Sequence, residues 1–111
     1  MILEAATLSI TPAQSAQFEA AFNEARELIS AMPGFIAHQL QRSLETEGRY
    51  LLLVQWQSVE HHMVGFRQSP QFVRWRALLG PFFALVPVVE HYELISAGPE
   101  ASGMTANNQY D

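Results

Sequence analysis

Few side chains in this 111-residue protein can do chemistry: four His, six Arg without a single Lys, eleven carboxylates and no Cys. With no thiol, disulfides and thiolate metal sites are excluded. His62 stands out because it interrupts an apolar stripe, Val59, His62, Met63 and Phe66, spaced at i, i+3, i+4 and i+7. Its neighbour His61 points about 100° away, toward a more polar side. A desolvated imidazole is held neutral and can accept a proton from a phenol or enol. The alternative reading is a core histidine satisfied by one backbone carbonyl.

Arg76 interrupts a second stripe, between Trp75 and Leu79 and one turn after Phe72. A guanidinium there can hold an oxyanion or carboxylate and stack on aromatic rings. Alternatively, its stem covers the core while its head reaches solvent. Phe66, Phe72, Trp75, Trp56, Phe82 and Phe83 supply walls for a flat ring or fill an ordinary core. Of these, Trp56 is expected to anchor the structure and Phe66 to wall the pocket. The candidate site is therefore His62 and Arg76 as catalytic groups, with Phe66, Phe72, Trp75, Trp56 and Phe83 binding substrate. His38 and His91 fall on strands, where they either meet at a junction between two copies or point to solvent. No metal is expected, since Glu60-His61-His62 offers no pair of ligands at i, i+4 and no HExxH run occurs.

These groups must be positioned by elements that the hydrophobic periodicity outlines. Residues 1–10 are short and β-leaning. Thr11-Pro12-Ala13-Gln14 then predicts a helix start, with Thr as cap, Pro in the first turn and Gln14 closing a capping box. Phe18, Ala21, Phe22, Ala25, Ile29 and Met32 follow at steps of three and four until Pro33-Gly34 stops the helix. Residues 35–43 and 49–56 read as a hairpin around the polar stretch 44–48. In its second strand Tyr50, Leu52, Val54 and Trp56 point one way and Leu51, Leu53 and Gln55 the other, so both faces are largely apolar. Ser58 caps a short helix, Ser69-Pro70 starts another, and Gly80-Pro81 ends it. Residues 86–95 form a last strand. Residues 1–96 thus make one domain, and the small, polar stretch 97–111 is expected to be a mobile tail.

Strand, helix, strand, strand, helix pair, strand is the ferredoxin-like β-α-β-β-α-β plan of an α+β fold, with helices on one face of a four-stranded antiparallel sheet. The other face lacks a cover within the chain. Charged residues make up 15% of the sequence, against about 25% in an average domain. A homodimer with sheet packed on sheet, a dimeric α/β barrel, resolves both facts and leaves a cavity in each protomer. A net charge of −5 without a basic run argues against nucleic acid and anionic membranes as partners. No apolar run is long enough to cross a bilayer and Glu4 stands in an N-terminus without a basic region, so the expected location is the cytoplasm.

Pro33-Gly34-Phe35, Gln41-Arg42-Ser43, Leu53-Val54-Gln55-Trp56-Gln57-Ser58, Phe66-Arg67-Gln68-Ser69 and Val89-Glu90-His91-Tyr92, in this order, resemble the antibiotic biosynthesis monooxygenase family. The resemblance implies a dimeric α+β barrel and a small aromatic or quinol-like substrate oxidised by O₂, often without metal or flavin, so no cofactor is assigned. Heme-degrading enzymes similar to this family use an Asn, a Trp and a heme-ligating His at places that fall, by the Trp56 and Phe72 landmarks, near Ala6, Phe66 and Arg76. All three differ. The remaining alternatives are a non-catalytic barrel that binds a small apolar ligand, and a heme binder ligated through His61, His62 or His91.

Overall fold

The structure, a computed structural model, describes residues 1–99. The expected tail lies outside the described residues from position 100 onward. Four strands, β1 (Ile2–Ser9), β2 (Phe35–Arg42), β3 (Arg49–Trp56) and β4 (Val88–Tyr92), form one antiparallel sheet in the order β2-β3-β1-β4. Helices α1 (Ser15–Ser30) and α2 (Pro70–Leu79), with a π-helical turn at His61–Phe66 between β3 and α2, pack on one face. This is the ferredoxin-like plan.

The period-two alternation sets the two faces. On β1, Glu4, Ala6 and Leu8 turn toward the helices, and the pairing Ala6↔Leu52 and Glu4↔Val54 carries that face to Tyr50, Leu52, Val54 and Trp56. From α1, Phe18, Phe22, Ala25 and Ile29 enter the same core. Burial of a large apolar side chain contributes ~1.5–3 kcal/mol, so this layer dominates the favourable side of folding. The opposite face carries Leu51 and Leu53 on β3 and Val88 and Tyr92 on β4, with Leu51, Val88 and Tyr92 exposed.

Local structure departs from the sequence expectations in four places, each with a physical reason. Thr11 makes no side-chain cap, because Pro12–Gln14 forms a 3₁₀ turn and the α-helix begins at Ser15. After Ser58 the chain winds as a π turn, in which the Arg67 N–H donates to the His62 carbonyl (2.9 Å), five residues back. The wider turn keeps His62 and Phe66 inside and leaves Val59 and Met63, which the α-helical spacing had put with them, largely exposed. β4 is shorter than 86–95, because Pro87 has no N–H to pair and Tyr92 already sits opposite Leu3 at the start of β1. Finally, His38 and His91 both lie on the helix-facing side, as the pairings His38↔Val54 and Glu4↔His91 require, and neither lies on the open face where two sheets would meet.

Candidate active site

Between the sheet and the helices lies a cavity of about 620 Å³. Ala6 and Leu8 floor it. Phe66, Phe72, Trp75 and Phe83 supply aromatic walls, and Ala84, Leu85, Val86 and Pro87 close one side on the way into β4. That closing segment is pinned to β1, since the Ala84 N–H donates to the Ser9 carbonyl (2.7 Å) and Phe83 bridges Ile10. α2 is placed by Ser69, whose hydroxyl oxygen accepts from the Phe72 N–H (3.1 Å), with Pro70 in the first turn. The helix thereby directs Trp75 and Leu79 into the core, holds Phe72 half-buried at the wall, and leaves Arg76 at the cavity with its head exposed.

The buried polar groups of the cavity are few and lie against one another. Glu4 and His62, exposed by only 5% and 3%, both line it. The Trp56 Nε1–H donates to Glu4 Oε1 (2.9 Å), and His62 Nε2 lies 3.3 Å from the same oxygen. On its other side His62 Nδ1 is 2.8 Å from His91 Nε2. The indole of Trp56 stacks on the His62 ring with centroids 5.5 Å apart and planes 20° from parallel. Thus Trp56 fixes both members of the pair, one by a hydrogen bond and the other by its face. Glu4 Oε2 has no protein partner among the described residues.

Burial governs the charge states of the pair. It pushes the Glu4 carboxyl up to about 7, against the opposing pulls of the Trp56 N–H and the Arg67 guanidinium. It pushes the His62 imidazole down to about 4, helped by His91 and Arg67. Near neutrality, then, His62 is uncharged and Glu4 is poised between its two states. Arg67 extends over the Phe72 ring at 5.0 Å from the centroid, and both Arg67 and Arg76 line the cavity without an ion pair among the described residues.

The structure brings His62, Arg76, Phe66, Phe72, Trp75 and Phe83 to one cavity. Trp56 is fully buried behind its wall, where it orients Glu4 and His62. Sequence reasoning missed Glu4, which was read only as a mark against a leader segment, and it missed the contact of His91 with His62. The signal for Glu4 was present: it is a lone carboxylate in the β1 register of Ile2, Ala6 and Leu8. His61 stands apart, its Nδ1 2.7 Å from the Ser58 hydroxyl and its ring packed over Gly34. Gly34 has φ +84°, and a Cβ there would fall 2.2 Å from the His61 ring, so only glycine fits. His38 lies between the rings of Phe22 and Phe35 and is held below its ordinary range by burial and by Arg26.

A second cavity, about 530 Å³, opens between α1 and β2. Its one carboxylate, Glu19, already accepts from Tyr50 Oη (2.5 Å) and Arg42 (2.6 Å), which hold it below the usual carboxylate range. Those groups brace the helix against the sheet. The remaining base that lines this cavity is His38, packed between Phe22 and Phe35.

The sequence model of antibiotic biosynthesis monooxygenases matches residues 1–78, which include Glu4, Trp56, His62 and Arg76. The chain belongs to the antibiotic biosynthesis monooxygenase (ABM) family. A solved structure from Bordetella bronchiseptica, described as a candidate ABM protein, is 41% identical with a TM-score of 0.83, covering 86% of this chain and 97% of that one. The uncharacterized protein YczJ of Bacillus subtilis is 43% identical over 93 residues, 84% of this chain and 98% of its own. SnoaB of Streptomyces nogalater, a cofactor-independent oxygenase, shares the ABM fold at 19% identity, with a TM-score of 0.72 over 89% of this chain and 97% of its own.

Proposed function

We propose that the chain is a monooxygenase that oxidises a small phenolic, enolic or quinol-like aromatic with O₂, using no metal or flavin. The observation that carries this reading is the buried Glu4–His62 pair in the wall of an aromatic cavity. O₂ is a triplet and reacts slowly with closed-shell organic molecules unless an electron-rich anion surrenders one electron. The protein's task is therefore to make and hold that anion.

His62 Nδ1 is bonded to His91 and its Nε2 lies against Glu4 Oε1 at 3.3 Å, so in this reading Glu4 rather than His62 meets the substrate proton. Glu4 is the better base, with a free oxygen and a carboxyl raised to about 7, toward the range of an acidic phenol or quinol. His62 acts behind it. Arg76 and Arg67 steady the oxyanion, and Phe66, Phe72, Trp75 and Phe83 sandwich the ring and exclude water. The substrate anion gives one electron to O₂, the resulting radical pair collapses to a peroxide anion that takes back the proton removed through Glu4, and loss of water leaves a new carbonyl. The substrate loses two hydrogens and gains one oxygen atom, and the second oxygen departs as water.

The test is an oxygen-electrode screen over quinols, catechols and anthrone-like tricyclics with wild type and Glu4→Gln, followed by mass spectrometry after reaction under ¹⁸O₂. One labelled oxygen in the product and a loss of ~100-fold or more in Glu4→Gln are expected. Saturable binding across the panel without oxygen uptake would move the protein to the ligand-binding class. Heme degradation is disfavoured by the residues present. The three places such enzymes use fall, by the Trp56 and Phe72 landmarks, near Ala6, Phe66 and Arg76, which all line the cavity, while the facing nitrogens of His62 and His91 are taken up by each other.

The working form we propose is a homodimer closed through the open sheet face. Leu51, Val88 and Tyr92 on that face are 37%, 61% and 50% exposed, and the chain is poor in charge.

A further inference from the structure

We infer that Glu4, His62 and His91 form a proton wire that connects the cavity to solvent at the outer edge of the sheet. The inference rests on the monooxygenase reading only for the source of the proton. The wire itself rests on geometry. Glu4 Oε1 to His62 Nε2 is 3.3 Å, and His62 Nδ1 to His91 Nε2 is 2.8 Å. The first two members are almost wholly buried and line the cavity, whereas His91 is half-buried on β4, an edge strand, and does not line the cavity. The chain of donors and acceptors therefore enters at the substrate and leaves elsewhere.

The 3.3 Å contact between Glu4 and His62 is close but not aligned as a hydrogen bond, and a turn of the Glu4 carboxyl both aligns it and brings the oxygen that took the proton to His62 Nε2; hydrogen-bond rules then give this chain two polarities. With Glu4 ionised, the His91 Nε2–H donates to His62 Nδ1, and the His62 Nε2–H donates to Glu4 Oε1. With Glu4 protonated, its O–H donates to His62 Nε2, and the His62 Nδ1–H donates to His91 Nε2. From the second state one concerted shift moves the Glu4 proton to His62 Nε2, the His62 Nδ1 proton to His91 Nε2, and the His91 Nδ1 proton to water. One proton leaves, Glu4 is again a carboxylate, and every nitrogen remains neutral. No step requires a charged imidazole in the interior, which burial disfavours.

The charged and titratable surroundings favour outward movement. Arg67, on the turn that carries His62, lowers the proton affinity of both Glu4 and His62. Arg76 adds a second cation from α2 at the cavity, and Trp56 on β3 donates to Glu4 Oε1 in either state. Glu90 and Tyr92 flank His91 in sequence, yet they bond to each other (2.7 Å) on the opposite face of β4 and leave His91 to His62. Because both substrate hydrogens end in the departing water, a proton sent out when the substrate is deprotonated returns by the same path when the peroxide is protonated, and the wire carries it both ways without opening the cavity to water.

The test uses the full chain labelled with ¹⁵N-histidine and needs no substrate. Long-range ¹H–¹⁵N correlation spectra from about pH 5 to about pH 9 report which His62 nitrogen holds the proton. The expected result is that His62 changes from Nδ1–H to Nε2–H as Glu4 ionises near pH 7, and that Glu4→Gln abolishes the change. A His62 that keeps one tautomer throughout in the wild type overturns the wire and leaves the monooxygenase reading intact. A tautomer change without oxygen uptake from any quinol supports the wire while removing the proposed reaction. In the active enzyme, His91→Gln keeps an N–H to donate to His62 but cannot pass a proton on. It is expected to lower kcat about 10-fold or more with KM unchanged, with partial rescue of His91→Ala by added imidazole. Unchanged kcat in His91→Gln overturns the proposal.

Discussion

Glu4 and His62 make opposite demands on stability, and replacing one exposes the other. Glu4 has its carboxyl raised from 4.5 to about 7 in the folded protein, so between these values the folded chain holds more protons than the unfolded one. Its contribution to stability is full below about pH 4.5 and falls as pH rises toward 7. His62 is lowered from 6.5 to about 4, so between these values the unfolded chain holds more protons. Its contribution grows as pH rises from about 4 to 6.5. Each displacement corresponds to about 3 kcal/mol at most, and over the shared window of pH 4.5 to 6.5 the two nearly cancel. Wild type is therefore expected to show little pH dependence from this pair. Glu4→Gln keeps an oxygen for Trp56 and His62 but cannot titrate, so its stability relative to wild type should climb by up to about 3 kcal/mol as pH rises from about 4.5 to about 7. His62→Gln should fall by a similar amount relative to wild type as pH rises from about 4 to 6.5, where His62 would otherwise have offset the loss from Glu4. For a domain of this size such a change moves Tm by roughly 10–20 °C. Thermal and urea unfolding at a pH series, at one protein concentration, measures it. Contributions of His38 and Glu19 are common to the three proteins and drop out of the differences. If Glu4→Gln runs parallel to wild type at every pH, the carboxyl does not titrate near 7 in the native site, and its assignment as the base fails.

Three further outcomes follow from the same geometry. Gly34→Ala is expected to cost ~2 kcal/mol or more by denaturant unfolding, because it puts a side chain at φ +84° against the root of the His61 ring; a cost under ~0.5 kcal/mol would show that the turn gives way. Arg76→Met keeps the apolar stem and removes the charge, so KM for an anionic or phenolic substrate should rise ~10-fold with Tm nearly unchanged; equal KM would place the Arg76 head outside the binding site. Leu51→Glu together with Leu53→Glu puts two charges on the open face of β3 and should convert a dimer into a monomer in sedimentation; a dimer that survives both changes must use another surface.

How legible the site was in the sequence depends on the range of the interaction that makes each part. The order of elements was readable because helix and strand periods are local, and so was the inward set of α1, where Phe18, Phe22, Ala25 and Ile29 repeat at helical spacing. The face of β3 that carries Trp56 was readable for the same reason. His91 was harder. Its side of the sheet is fixed by the pairing Glu4↔His91, which joins residues at opposite ends of the chain, and a shift of one residue would have turned it to the open face. The π turn was unreadable as well, since it replaces the α-helical hydrogen bond with one from Arg67 to His62, and the Trp56 ring against which it places His62 comes from a strand that the local period does not report. His62 and Phe66 stay together in either winding because they are four apart, whereas Val59 and Met63 do not remain with them.

Glu4 shows what a local reading omits. A single carboxylate in the inward register of an apolar strand costs several kcal/mol if left charged and unpaired, so its presence there demands compensation from elsewhere in the fold. Trp56 supplies an N–H, His62 supplies a ring nitrogen, and Arg67 supplies positive potential from the rim. These compensations are incomplete, which is why the carboxyl remains near 7 rather than in the ordinary acid range. A complete ion pair would have made Glu4 a permanent carboxylate, too weak a base to take a phenolic proton, and an apolar residue would have made no base at all. The inverted order of the pair, an acid that holds its proton near neutrality beside an imidazole that does not, gives the cavity one group able both to take a proton and to release it at the same pH.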